Sequence, residues 1–263
     1  MSKTLEKGVY ILSLFTYERP TWRLDEMAQA TKIPKPTLLR FLKTFTDVGF
    51  LRRPNELVGN KMVPGDHYFL GPKLIELGAV SANSIEIRSM ALPYMAALRD
   101  KFKLAVQLIY MDGLEGLYIE KVESQNPVLL YTKIGRRAPL YAGACSRIIF
   151  AFQDEEKVNA VLQQKRTKFA SGTPQDEAQI KAQITNSKLT GYAYSVSELE
   201  EGTVALAVPI FNADNNVQYS ISMAGIEATI PKDKVPILLQ EMWQAAAKLS
   251  QDLGYSHPYP YGE

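Results

Sequence analysis

Ile33-Pro34-Lys35-Pro36-Thr37-Leu38-Leu39-Arg40-Phe41-Leu42-Lys43-Thr44-Phe45-Thr46-Asp47-Val48-Gly49 is the stretch on which the fold turns. Pro34 and Pro36 suit the first turn of a helix, where an amide hydrogen would lack a partner anyway. Beyond them Leu38, Leu42 and Phe45 form one apolar stripe, while Thr37, Arg40, Lys43, Thr44 and Asp47 occupy the rest of the circumference. Gly49 fits the left-handed position just past the helix end. Upstream, Leu24, Met27, Ala28 and Ala30 describe a shorter helix, joined to this one by the tight Thr31-Lys32-Ile33 connection. Earlier still, Ser2 or Thr4 can cap a helix whose apolar residues Leu5, Val9, Leu12 and Phe15 stop before Glu18-Arg19-Pro20. Two helices across a short turn, the second basic and exposed, make a helix-turn-helix. Downstream, Phe50 to Arg53 and His67 to Leu70 are strand-like and flank a turn-rich span from Pro54 to Asp66, a hairpin that completes a winged helix. Gly71-Pro72 then opens a short helix closed by Gly78.

Around this module the chain has 263 residues, 46% apolar, 22% charged and 10% aromatic, which excludes a disordered tail and a disulfide scaffold. The formal net charge of +2 hides a division: residues 1 to 78 hold 12 basic and 8 acidic side chains, the remainder 18 and 20. Between residues 32 and 61, Lys32, Lys35, Arg40, Lys43, Arg52, Arg53 and Lys61 face only Asp47 and Glu56. A polyanion is therefore the expected partner of the first module alone. The lone Cys145 excludes an intrachain disulfide and a zinc ribbon, so no metal is expected. No apolar run reaches the roughly 18 residues of a membrane span and the N-terminus lacks a signal-peptide core; the expectation is a cytoplasmic protein without a membrane partner.

Past residue 78 the pattern changes. Residues 79 to 99 read mostly as helix, with Met90, Tyr94 and Leu98 at spacing four, and Pro93 should begin or kink a helix, so that 79–92 serves as a linker helix. Strands are expected at 106–110, 116–122, 128–132, 204–210 and 219–223, with helices at 144–153, 175–189 and 235–253. Antiparallel strands flanked by helices point to an α+β sensor-like domain over 93–255, followed by a Tyr/Pro-rich tail, 256–263.

Several segments carry a resemblance: Leu5-Glu6-Lys7-Gly8, Ile33 to Leu42, Val48-Gly49-Phe50 and Tyr68 to Leu74 resemble the winged helix of the IclR family of bacterial transcriptional regulators. Tyr118 to Ser124, Ile134 to Tyr141, Gly191-Tyr192, Val208 to Asn212 and Leu253-Gly254-Tyr255 are similar to that family's effector-binding domain. The resemblance implies a DNA-binding regulator, most often a repressor of a catabolic operon, with a GAF-like C-terminal domain that binds a small organic, sugar or aromatic acid. Its partners would be a double-stranded DNA operator, the effector and a second copy of the chain, as a homodimer or dimer of dimers. The family's pocket falls on Leu130, Gly143, Ala144, Cys145, Ser195, Ala205 and Ser222, with the start of the Ala144 helix offering amide hydrogens to a carboxylate. Departures are Pro36, where the family often has Ser; a longer wing; Ser195-Val196 in a commonly acidic stretch; Val204-Ala205 in place of Arg-Cys; and Cys145 where small residues are typical.

Each site has a plain alternative. Lys35, Pro36, Thr37, Arg40, Lys43 and Thr44, with Arg52 and Arg53, are the candidate DNA contacts, since Arg bridges two acceptors on guanine and Lys or Thr bonds phosphate or base edges; otherwise they form a solvated face. Leu130, Cys145 and Ala205 could equally be core, and Arg136 and Arg137 could steer an anion but more readily form surface salt bridges. Two other classes compete. One is a thiol redox sensor or small enzyme using Cys145, against which stands the absence of a nearby base, since His67 lies in the wing and His257 in the tail. The other is an interaction module whose winged helix no longer binds DNA. No phosphate loop, HExxH, nucleophile elbow or dinucleotide fingerprint is present, so no catalytic residue and no cofactor is expected.

Overall fold

The computed structural model describes residues 2–58, 61–83, 85–124 and 132–262, and the chain divides into two compact units, Met1–Ser84 and Ile85–Glu263. In the first unit the elements run α1 (Lys3–Ser13), β1 (Thr21–Arg23), α2 (Leu24–Thr31), α3 (Lys35–Asp47), β2 (Leu51–Arg52), β3 (Asn55–Val58), β4 (Lys61–Pro64), β5 (His67–Leu70) and α4 (Lys73–Asn83). Leu38 and Leu42 of α3 are fully buried with Ile11, Met27 and Leu51, so the expected stripe is the core of this unit. The turn between α2 and α3 rests on Lys32, which takes a left-handed φ of 56°. After α3, Gly49 at φ +79° lets its own amide donate to the Thr46 carbonyl and that of Phe50 to the Phe45 carbonyl, at 3.1 and 2.8 Å, the paired bonds of a Schellman turn.

The wing differs from the expected hairpin in two respects. Beside the pairing of β2 with β5, the span read as turn-rich holds a second antiparallel ladder, β3 with β4, in register from Asn55↔Pro64 to Val58↔Lys61. Pro54 ends one ladder, yet its carbonyl still accepts from the Gly65 amide at 2.8 Å, so the two ladders continue each other. Strand β1, too short to show periodicity, pairs with the free edge of β5. Gly78 does not close α4, which continues to Asn83, because a helix-interior glycine keeps its amide hydrogen and costs only about 1 kcal/mol relative to alanine.

In the second unit α5 (Glu86–Phe102) precedes β6 (Ala105–Asp112), β7 (Glu115–Val122), β8 (Arg137–Pro139), α6 (Ala144–Phe150), α7 (Glu155–Leu162), α8 (Glu177–Thr190), β9 (Ala193–Val196), β10 (Thr203–Phe211), β11 (Val217–Ile226) and α9 (Val235–Asp252). Pro93 lies inside α5 and does not begin it; Ile87 and Ala91 before it and Met95 and Leu98 after it are all buried, which holds both halves in one helix. The span 79–92 thus covers the end of α4 and the start of α5. The expected strand at 128–132 falls almost wholly outside the described residues. Short β8, β9 and α7 have no counterpart in the sequence reading, since so few residues show no period.

Six strands form one antiparallel sheet in the order β8-β7-β6-β11-β10-β9. Alternation sorts its two faces. Val204, Leu206, Val208 and Ile210 of β10 pack with α5 and α9, whereas Ala207 and Phe211 turn toward α6. The same period sends Val106 and Leu108 of β6 to the first face and Gln107 and Ile109 to the second.

The C-terminal tail, compositionally a loose end, is packed. Tyr259 meets the Phe211 ring edge-on with centroids 5.7 Å apart and its hydroxyl donates to the Pro209 carbonyl at 2.7 Å, and that of Tyr261 donates to the Lys188 carbonyl at 2.7 Å. Deleting residues 256–263 is expected to cost about 2–4 kcal/mol through the lost burial of two tyrosines. A urea midpoint for the second unit equal to that of the intact chain would refute this.

Candidate functional site

Helix α6 is buried along its whole length, and it carries a cation in the middle: Arg147 is 2% exposed. A charge so placed needs a partner and full hydrogen bonding. Glu198, on the loop between β9 and β10, supplies both carboxylate oxygens to the Arg147 Nη1 at 2.6 and 2.7 Å, and a second guanidinium nitrogen donates to the Tyr194 carbonyl. The same carboxylate accepts the Gly143 amide at 2.8 Å, and the Ser195 hydroxyl accepts that of Ala144 at 3.1 Å. Two of the amide hydrogens expected to stand open for an effector's carboxylate, those of Gly143 and Ala144, are therefore occupied by the chain's own side chains. Gly143, at φ +80°, makes the turn into α6, and a Cβ there would lie 2.7 Å from the Leu199 side chain.

Next to this ion pair lies a cavity of about 40 Å³ between α6 and the sheet. Gly143, Ala144, Cys145, Ser195 and Ala205 all line it, so five of the seven residues expected at a pocket converge there. Ser222 stands one step back, its hydroxyl donating to the Gln107 Oε1 at 3.3 Å, and Leu130 lies outside the described residues. The wall also includes Arg136, one of two arginines weighed for steering an anion, and Gln107, Tyr118, Glu198 and Glu200, which sequence reasoning did not place at a pocket. One signal was legible: Gln107 interrupts the apolar run Ala105-Val106-Gln107-Leu108-Ile109. Glu198 gave none, because its partner Arg147 is distant in sequence. Arg136 pairs with Glu200 at the cavity wall, while Arg137 pairs with Asp112 and Glu115.

Cys145 is 2% exposed, with its sulfur 3.0 Å from the Tyr118 hydroxyl. Burial pushes the thiol up against the smaller opposing effect of that hydrogen bond, and burial likewise holds the Tyr118 phenol well above its ordinary value. Such a thiol is the opposite of an activated nucleophile. The histidines are elsewhere: His67 accepts from Arg23 in the first unit, and His257 meets the Tyr255 ring in the tail.

In the first unit, α3 exposes Lys35, Pro36, Thr37, Arg40, Lys43 and Thr44. Lys35 pairs with Asp25 at 2.8 Å, tying the start of α3 to α2, and the Thr44 hydroxyl donates to the Arg40 carbonyl at 3.0 Å. Arg40 and Lys43 form no ion pair among the described residues. Arg52 and Arg53 are held differently, each guanidinium over a ring of β5, Phe69 at 4.9 Å and Tyr68 at 5.3 Å, and Arg53 also donates to the Gly65 carbonyl.

Comparison with known proteins bears on both units. The family model of the bacterial transcriptional regulator IclR C-terminal domain matches residues 79–251, and that of the IclR helix-turn-helix domain matches residues 4–54. The chain is 38% identical over 256 residues to the HTH-type transcriptional regulator KipR of Bacillus subtilis, covering 97% of this chain and 98% of that protein. Among solved structures, an IclR transcriptional regulator from Alicyclobacillus acidocaldarius matches with a TM-score of 0.81 at 25% identity, over 95% of this chain and 98% of the other. An IclR homolog complexed with 4-hydroxybenzoate from Microbacterium hydrocarbonoxydans shares the fold at a TM-score of 0.78 and 21% identity, over 95% and 99%.

Removing one partner of the buried pair leaves an uncompensated charge, so Glu198→Ala is expected to destabilise the second unit by roughly 3–5 kcal/mol. The double replacement Arg147→Met, Glu198→Leu should cost less, as chemical denaturation of the three proteins would show; a Glu198→Ala midpoint equal to wild type would disprove the coupling. Cys145 should also react with a thiol-selective reagent far more slowly than free cysteine until the protein is unfolded.

Proposed function

The chain belongs to the IclR family of bacterial DNA-binding transcriptional regulators, and on that premise we propose that it represses a catabolic operon and is controlled by a small organic, sugar or aromatic acid bound in the second unit. The observation that carries the reading is the division of labour between the units: an exposed α3 whose Arg40 and Lys43 form no ion pair among the described residues in one, a small polar-walled cavity in the other. In this reading α3 enters the major groove, where Thr37, Arg40, Lys43 and Thr44 reach base edges and phosphates, Lys35 and Pro36 approach the backbone, and Arg52 and Arg53 position the wing. The buried, pKa-raised Cys145 belongs to the cavity wall and not to a redox or catalytic centre.

Two copies would read the two halves of a pseudo-palindromic operator. Exposed Ile75 and Val80 on α4 and Leu5 and Val9 on α1 support pairing of the first units, since apolar side chains in such number favour a covering surface. The effector acts by binding one arrangement of the dimer better than the other, because only differential affinity shifts such an equilibrium. The acid class draws support from Arg136 at the cavity wall and from the 4-hydroxybenzoate held by the Microbacterium homolog. Cytoplasmic residence goes with this role; among the described residues no helix is long and apolar enough to cross a membrane.

A mobility shift of the full-length protein on its own upstream region tests the proposal. Affinity should fall steeply as salt rises, and the Arg40→Ala, Lys43→Ala variant should lose about tenfold or more at fixed salt, with a salt slope shallower by roughly one to two. Binding that ignores salt, or that survives the double substitution, overturns the assignment of α3.

A further inference from the structure

Strand β6 runs through the middle of the sheet, and five successive residues from Ala105 are buried. Four are apolar; the fifth, Gln107, is 2% exposed and lines the cavity. Its oxygen is used, accepting from Ser222 directly across the ladder on β11, and that bond turns the amide nitrogen the other way. Among the described residues Gln107 Nε2 has no hydrogen-bond partner. Among the described residues, two further buried side-chain atoms share this condition, Ser146 Oγ and Arg147 Nε, but neither residue lines the cavity. Native proteins seldom leave a buried donor unmatched, and one that faces a cavity is placed to bond a molecule entering it.

We propose that Gln107 is the residue that reads the effector, its amide nitrogen donating to an uncharged oxygen, a carbonyl or hydroxyl, of a small aliphatic molecule; the inference rests on the assignment of this cavity to the effector. The charges on the wall select the kind of oxygen. Both wall carboxylates are already matched, Glu198 by Arg147 and the Gly143 amide and Glu200 by Arg136. A second anionic group beside Gln107 would therefore be buried without a counter-charge, a desolvation cost that a neutral acceptor avoids. The effector's acid group, where it has one, belongs on the Arg136 side. A small aliphatic molecule suits a cavity of about 40 Å³ whose one aromatic ring among the described residues, Tyr118, already has its hydroxyl against Cys145.

Three probes of one carbon skeleton test this on the full-length protein by calorimetry: 2-oxobutyrate, 2-hydroxybutyrate and butyrate. Wild type should bind one or both oxygenated acids at least about tenfold more tightly than butyrate, since a site built to bond an oxygen rejects the analogue lacking it. Gln107→Leu, which keeps the volume and removes the amide, should erase that ratio, with a modest fall in the unligated melting temperature because the buried Ser222 hydroxyl loses its acceptor; should it fail to fold, Gln107→Met asks the same question. Gln107→Glu should lose the oxo acid, which can only accept, more than the hydroxy acid, which can also donate. Equal binding of all three probes by wild type, no binding of any, or a ratio that survives Gln107→Leu overturns the role of Gln107. The effector assignment of the cavity falls on a different result: no member of a wider panel of small acids moves either the melting temperature or the operator affinity.

Discussion

A guanidinium buried in the middle of a buried helix cannot exist without a partner, and the second unit is arranged around that requirement. Arg147 draws Glu198 out of the loop between β9 and β10, and the same carboxylate caps the turn into α6 through Gly143. The Glu198 carbonyl in turn accepts from Thr173, whose hydroxyl oxygen also accepts the amides of Phe169 and Ala170, so the connection between α7 and α8 is fastened to the same point. Three segments far apart in sequence thereby meet at one charge pair. In such surroundings the pair specifies which loop covers α6 more than it adds net stability, since the desolvation of both ions offsets most of their attraction.

The cavity follows from the geometry of that arrangement. α6 is held against the sheet over small and polar residues, Ala207, Ser220 and Ser222, and the space left between them is lined by side chains of opposite preference: Leu199 and Val204 on one hand, Gln107, Ser195 and Tyr118 on the other. The Ser220 hydroxyl bonds the Cys145 carbonyl and the Ser222 hydroxyl bonds Gln107, so the layer behind the cavity wall is hydrogen-bonded and not purely apolar. Polar groups inside a low-dielectric enclosure discriminate strongly between ligands that match them and ligands that do not.

The first unit solves a simpler problem. Its core needs one face of each of three helices and part of a small sheet, and the remaining surface of α3 is left to basic and hydroxylated residues. The Schellman turn at Gly49 ends α3 sharply, and Leu51 re-enters the core three residues after Val48, which sets the path of the wing beside the helix.

Periodicity and charge are local quantities, and what depends on them was legible in the sequence. The stripe Leu38-Leu42-Phe45, the left-handed Gly49, the strand alternation of β10 and β11, the α+β class and the concentration of basic residues around α3 all follow from neighbours within a few turns or pleats. Elements too short to show a period, β1, β8, β9 and α7, did not; Pro93 read as a boundary because burial on both sides of a local defect is invisible without the partner surface, and Gly78 because a glycine closes some helices and is carried inside others. The site divides the same way. Gly143, Ala144, Cys145, Ser195 and Ala205 could be placed by likeness, but the pairing of Glu198 with Arg147 and of Gln107 with Ser222 was decided only when strand register and helix packing brought residues 51 and 115 positions apart into contact. The sequence by itself determined which segments are helix, strand and basic face; the tertiary structure alone decided which amides are already satisfied and which donor is left for a ligand, because hydrogen-bond saturation in a core is a property of the packed whole.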